Sequence, residues 1–179
     1  MILEVSEALV DVIHSLTPDM APWVEINSLA QGGTAPTLKD AQLALIAVAP
    51  HPHMANRPLV EGEKGLVRAP LHLQLTYLFT FLGDPKEAQL RLDRVVQAFH
   101  TKPLLKHQDL QPPLASAVDA IAIRMLSPTA DERNQIWGAL GRSGPVSLFY
   151  EVDVAPVPVI EREGAKRVTE HRIEYVNAP

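Results

Sequence analysis

The sequence predicts an α+β domain in which a mixed or antiparallel sheet of about four to five strands packs with about three helices. Helical and strand-like apolar spacings alternate along residues 1–156, and the clearest strand pattern occupies residues 71–81. After residue 156 the chain becomes charged and only weakly periodic. A length of 179 residues fits one domain. We therefore expect a single domain over 1–156 and an extended C-terminal arm or hairpin over 157–179.

Three segments have the apolar spacing of amphipathic helices. Residues 2–16 form the first, which ends before Pro18. The second begins at Asp84 and Pro85, a capping residue followed by proline at the first helical position. The third begins at Thr129 and Glu132, which have capping-box spacing. Their predicted buried residues are Val5, Leu9, Val12, Ile13 and Leu16, then Ala88, Leu92, Val95, Val96 and Phe99, then Ile136, Trp137 and Leu140.

The predicted central strand places six large apolar side chains on one face. Burying them stabilises the fold by on the order of 10 kcal/mol, so that face must be core. The six residues are Leu71, Leu73, Leu75, Tyr77, Phe79 and Phe81.

Four other segments are predicted strands. Residues 22–29 favour a short strand and residues 43–48 a buried one. In residues 119–126 one face carries Ile121, Ile123 and Met125. The last strand follows Pro145, and its apolar face carries Val146, Leu148, Tyr150, Val152 and Val154. Residues 51–65, rich in proline and glycine, are predicted to be an irregular, mobile loop.

Composition argues against several functional classes. The net charge is −5 and no Lys/Arg stripe occurs, which disfavours nucleic-acid binding. The chain has no cysteine, so thiolate chemistry is excluded. No apolar run approaches the ~20 residues that span a bilayer, and the acidic start is unlike a secretory signal. We expect that the protein does not insert into a membrane and that it assembles in the cytoplasm.

No set of residues predicts an active site, a cofactor or a metal. His51 and His53 have a spacing that occurs at metal sites, but no further ligand lies nearby before Glu61. His72 lies on the non-core face of the central strand, and His100 suits a helix's last turn. A small metal-dependent hydrolase using these histidines remains an alternative. Glu151 and Asp153 share one face of the last strand, where we interpret them as solvent-facing acids on an edge strand.

The order of these elements, with the residues that carry them, resembles a known protein family over residues 1–160. The matching segments are Ile2-Leu3-Glu4-Val5-Ser6-Glu7-Ala8-Leu9, Pro70-Leu71-His72-Leu73-Gln74-Leu75-Thr76-Tyr77-Leu78, Asp84-Pro85-Lys86-Glu87-Ala88, Leu92-Asp93-Arg94-Val95-Val96-Gln97-Ala98-Phe99-His100, Leu126-Ser127-Pro128, Ile136-Trp137-Gly138-Ala139-Leu140-Gly141 and Pro145-Val146-Ser147-Leu148-Phe149-Tyr150-Glu151-Val152. They resemble the N-terminal domain of cap, or tail-terminator, proteins of extracellular phage-tail-like contractile injection systems.

The resemblance implies a structural protein without enzymatic activity. It implies a homo-oligomer, a hexameric ring on the last layer of the inner tube and sheath, which ends their polymerisation and couples them. The tube protein and sheath protein of the same particle would be its partners. The candidate partner-binding residues are Glu151, Asp153, Arg162, Lys166, Arg167, Arg172 and Tyr175. A monomeric phage-tail adaptor that binds one partner through the arm is the other alternative.

Overall fold

A computed structural model describes residues 1–27, 40–54, 58–62, 65–67, 71–141, 144 and 146–156. The helices in this part of the chain are α1 (Ile2–Ser15), α2 (Pro85–Thr101), α3 (Leu114–Ala117) and α4 (Ala130–Ala139). The strands are β1 (Val24–Ile26), β2 (Ala41–Pro50), β3 (Val60–Gly62), β4 (Gly65–Val67), β5 (Leu73–Phe81), β6 (Leu104–Lys106), β7 (Val118–Leu126) and β8 (Ser147–Pro156). A 3-10 turn, His107–Asp109, separates β6 from α3.

Six of the strands form one mixed sheet in the order β1-β2-β5-β8-β7-β6. β1 runs parallel to β2, and every other neighbouring pair in this sheet is antiparallel. β3 and β4 form a separate two-stranded sheet. The predicted α+β class is confirmed. The two outermost strands, β1 and β6, contain three residues each, too few to give a clear alternating pattern.

The main core lies between the sheet and the helices α1 and α2. The predicted central strand lies in the interior of the sheet, and its residues Leu75, Tyr77 and Phe79 are fully buried. Phe79, Phe99 and Tyr150 pack edge to face or tilted, with ring centroids 4.9 to 5.8 Å apart. Such aromatic contacts stabilise the fold beyond the area that they bury. The predicted apolar stripes of α1 and α2 therefore do face the sheet.

The predicted helix ends are confirmed by hydrogen bonds. The Asp84 carboxylate accepts a hydrogen bond of 2.9 Å from the backbone N–H of Lys86 at the start of α2. Thr129 and Glu132 form the capping box of α4. Gly141 follows α4 with a φ of 66°, in the left-handed region that glycine adopts without steric cost.

Within the described residues, the opposite face of the sheet, here called the second face, is covered at one end only. There α4 buries Trp137 against Ala44, Leu78 and Phe149. The prediction that Trp137 is a core residue is confirmed, and the described residues cover the sheet mainly on one face. Trp23, which immediately precedes β1, is buried and donates a 3.3 Å hydrogen bond to Thr17 Oγ1.

Four side chains that were named as buried in the predicted apolar faces are exposed. Leu16 is 44%, Leu71 51%, Met125 56% and Val146 69% exposed. Leu16 follows the last residue of α1, Leu71 and Val146 precede the first residues of β5 and β8, and Met125 lies near the end of β7 beyond the part that β6 covers. The predictions were wrong because a periodic pattern shows which residues share a face, but not where the covering layer ends.

Strand extents also differ from the prediction. β2 is ten residues long and not buried throughout, since only its first four residues are buried. Within the stretch predicted to be irregular, Val60–Gly62 is a strand that pairs with Gly65–Val67, so that prediction is wrong there. The strand expected within 22–29 covers Val24–Ile26.

The placement of Glu151 and Asp153 on an edge strand is wrong. β8 lies between β5 and β7 and is hydrogen-bonded on both sides. Strand order depends on pairing between distant segments, which the local alternation of β8 does not reveal. The short elements β6 and α3 were not predicted.

Candidate assembly surfaces

An acidic pair on the second face is held by one arginine. Glu151 and Asp153 project from β8, with side chains 19% and 22% exposed. Arg124 lies directly opposite Glu151 on β7. Its guanidinium group donates to the carboxylate of Glu151 and, at 2.9 Å, to that of Asp153. The two acids are therefore ion-paired within the chain.

Two neighbouring side chains extend this cluster. Gln74 on β5 donates a 3.4 Å hydrogen bond to Asp153 Oδ1. His51 Nε2 lies 3.8 Å from the same oxygen, and its ring lies 5.8 Å from that of His53. We call Arg124, Glu151, Asp153, Gln74 and His51 the polar cluster. It can present an oriented charged surface to a partner, because three strands and the segment after β2 fix its members.

A shallow groove adjoins the polar cluster beside α4. It has a volume of about 610 Å³ and is lined mainly by apolar atoms, including those of Leu126, Pro128, Ile136 and Phe149. Thr76, which also lines it, lies opposite Glu151 across β5 and β8. The groove is wide and open, so it can accept a side chain of another protein.

The histidines of the described residues do not assemble into a metal site. Nowhere in this part of the chain do three or more His, Cys, Asp or Glu side chains come together in a way that could hold a metal ion. His100 lies in the last turn of α2, as predicted from the helix dipole. The fold brings His51 to one of the predicted acids, Asp153.

A second acidic surface lies along α1. Glu4, Glu7 and Asp11 line a groove there together with Lys102 and Asp109. Asp109 accepts a hydrogen bond from the backbone N–H of Lys106 and pairs with Lys102 at 3.0 Å. Both contacts favour the charged carboxylate, so the pKa of Asp109 lies below its ordinary value. Asp109 therefore carries its negative charge in this groove at neutral pH.

The sheet has two lateral edges, here called its sides, and each ends in a short strand that pairs with only part of its neighbour. β1 pairs with Ala41, Gln42 and Leu43 only, and β6 pairs with Ala120, Ile121 and Ala122 only. Within the described residues, the remaining parts of β2 and β7 have no strand on that side. The backbone N–H of Ile123 still donates a 2.8 Å hydrogen bond to the carbonyl of Pro103, which immediately precedes β6. We call residues 44–50 the open half of β2 and residues 124–126 the open half of β7.

The predicted site residues are only partly brought together. Glu151 and Asp153 lie side by side, whereas the arm lies outside the described residues with Arg162, Lys166, Arg167, Arg172 and Tyr175. Sequence reasoning missed Arg124, Gln74 and His51 as members of the polar cluster. Their roles depend on the register between β5, β7 and β8, for which the sequence offers no signal.

Comparisons with known proteins identify the family. Residues 4–170 match the family profile described as the Pvc16 N-terminal domain. The chain belongs to the Pvc16 N-terminal domain family. No protein with curated annotation matches the sequence. Among the described residues, no helix of this Pvc16 N-terminal domain is long and apolar enough to cross a membrane.

Two solved structures share the fold. One is the sheath/tube terminator of an extracellular contractile injection system, PVC, in the extended state, with a TM-score of 0.65 and 16% identity. The other is the tube-terminating cap of the anti-feeding prophage, with a TM-score of 0.60 and 17% identity. The similarity covers 100% and 96% of this chain, but 64% and 60% of those chains. This chain thus spans less than two thirds of either relative, and the expected resemblance to terminator domains is confirmed.

Proposed function

We propose that this chain is the structural cap of a contractile injection system. It forms a hexameric ring on the end of the inner tube and sheath, stops their polymerisation and couples one to the other. The observation that carries the proposal is the fold similarity along the whole chain to a sheath/tube terminator. The chain performs no catalysis in this role. Assembly takes place in the cytoplasm, and the ring becomes part of the injection particle.

Particle length tests the proposal. The chain is co-expressed with the tube and sheath proteins of the same particle and the particles are imaged by electron microscopy. With the chain present we expect tubes of uniform length that carry a six-fold ring at one end. Omitting it should give longer tubes of varied length. Equal length distributions with and without the chain, and no ring at either end, would contradict the proposal.

The arm supplies one proposed partner contact. Residues 157–179 extend from the domain, and Arg162, Lys166, Arg167, Arg172 and Tyr175 bind the sheath or tube together with Glu151 and Asp153. The support is the charged, weakly periodic composition of this segment, which has little apolar surface to bury in a core.

Removal of the arm tests that contact. A chain that lacks residues 161–179 should keep its circular dichroism spectrum and its cooperative unfolding, while its retention on particles falls. A double substitution, Lys166→Glu with Arg167→Glu, changes charge without shortening the chain and should also lower retention. If the shortened chain failed to fold, the arm would belong to the core instead.

A further inference from the structure

The open halves of β2 and β7 lie at opposite ends of the same sheet. The sheet's first end holds Ala41 and Leu126, and its second end holds Pro50 and Val118. β1 covers β2 at the first end, and β6 covers β7 towards the second end. On one side of the sheet, β2 therefore lacks an outer neighbour at the second end. On the other side, β7 lacks one at the first end.

The open half of β2 offers backbone groups for another strand. The N–H of Ala41 donates to Trp23, and the carbonyl of Leu43 accepts from Asn27, so these residues face β1. Alternation along the strand points the backbone of Leu45 the same way. The bulge between Leu45 and Ala47 adds one residue to the strand, so that beyond it the backbone groups of Val48 point outward. Among the described residues no strand accepts these groups.

Four exposed apolar side chains at the two sides share one face of the sheet. Ile26 is 42%, Leu45 38% and Val48 49% exposed at the β2 side. They lie on the helix-covered face, since their partners Leu43, Tyr77 and Leu75 are core residues. At the β7 side Met125, opposite the buried Tyr150, projects from the same face.

The second face is also complementary. Leu104 of β6 is 43% exposed and lies opposite Ala122, which belongs to the second face. On that face the open half of β2 carries the small residues Ala47 and Ala49. No like charges would meet, because residues 44–50 carry no charged side chain and Arg124 is already paired within its own chain.

We infer that the β1–β2 side of one copy pairs with the β7–β6 side of the next, so that the sheets continue from subunit to subunit around the ring. β1 of one copy would lie antiparallel to β7 of the next, and β6 of that copy parallel to β2 of the first. This inference rests on the proposed ring. A contact between two different surfaces is head to tail, and such contacts close into rings when the rotation between copies allows it.

The contact is short. A stable dimer usually buries about 800 Å² on each partner, and two strand segments of about seven and three residues supply less than that. Copies alone should therefore associate only at high concentration. The end of a tube would align neighbouring copies and raise their effective concentration, which favours the ring at that place.

Engineered disulfides test the pairing, since the chain has no cysteine of its own. Ile26→Cys is combined with Met125→Cys. Within one chain these positions are four strand spacings apart, about 19 Å, far beyond the ~7 Å between Cα atoms that a disulfide tolerates. Oxidised particles should give a ladder up to six subunits on a non-reducing gel. The matched control, Ile26→Cys with Leu90→Cys on the exposed side of α2, should give no ladder.

Several outcomes overturn the inference. Rings that form without a ladder would refute the sheet contact and leave the cap function intact. Dimers from Ile26→Cys alone would show that this side pairs with itself. If no particle carries a ring, the cap function is refuted. The sheet contact is then tested separately, by oxidising the concentrated double-cysteine protein in solution, and absence of a ladder there refutes the contact.

A charged substitution gives a second test that keeps the fold. Val48→Lys places a charge at a half-exposed position, so we expect the monomer to fold while ring occupancy on particles falls at least tenfold. Leu90→Lys is the control and should leave ring occupancy unchanged. Equal ring occupancy in the Val48→Lys and parent proteins would contradict the pairing.

Discussion

Tyr77 and Tyr150 carry phenol groups into the main core. Both side chains are almost fully buried, and only Tyr77 has a described hydroxyl partner, Ser6 Oγ at 2.9 Å. Burial raises the pKa of each phenol to about 12, because the phenolate loses its hydration. The neutral form is therefore favoured by folding.

This raised pKa predicts alkaline unfolding. The contribution is fully present below pH 10, the unfolded pKa, and is lost as the pH rises towards 12. Each tyrosine lowers the free energy of unfolding by up to about 1.4 kcal/mol per pH unit in that range. Urea unfolding followed by circular dichroism at pH 8, 10 and 11 measures the slope. Tyr77→Phe should make the slope smaller, and an unchanged slope would contradict the assignment.

Gly144 packs against Trp137 so closely that a β-carbon at this position would overlap the indole ring. Gly144→Ala should therefore lower the free energy of unfolding by about 1–3 kcal/mol. Gly138→Ala in α4 is the control, because a β-carbon there meets no atom within 4 Å. That change should stabilise the protein by about 0.5–1 kcal/mol. Thermal melts compare the two, and equal effects would mean that the indole ring moves aside.

At the scale of elements, the polar cluster ties β7, β8 and β5 together on a face that α4 leaves open. Arg124→Met would leave Glu151 and Asp153 without their shared cation. We expect a loss of about 1 kcal/mol at pH 7, since Arg124 is itself 57% exposed and screened by solvent. Arg133→Met on the exposed side of α4 is the control, and urea unfolding at pH 7 is the measurement.

At the scale of the whole molecule, the sheet connects two apolar layers of unequal size. Trp23 belongs to the main core and Trp137 to the smaller cluster under α4. These are the chain's two tryptophans, so Trp23→Phe and Trp137→Phe each leave one reporter. Because β5 and β8 contribute to both layers, we expect coincident urea transitions for both reporters. An earlier transition for the Trp137 reporter would show that the α4 layer unfolds separately.

The sequence by itself determined the elements whose causes are local. Caps at Asp84 and Thr129, the helical stripe that includes Val95 and Phe99, and the alternation of β5 all depend on neighbours a few residues away. These segments, taken together in their order along the chain, resemble a known family, and that resemblance predicted the terminator class.

Only the tertiary structure decided strand order, the end of each covered surface and the grouping of charged side chains. β8 proved to be interior, Met125 exposed and Arg124 the partner of both acids. The physical reason is that pairing register and the reach of a covering helix depend on residues distant in the chain. The incomplete pairing of β2 and β7 has the same origin, and it carries the proposed contact between subunits.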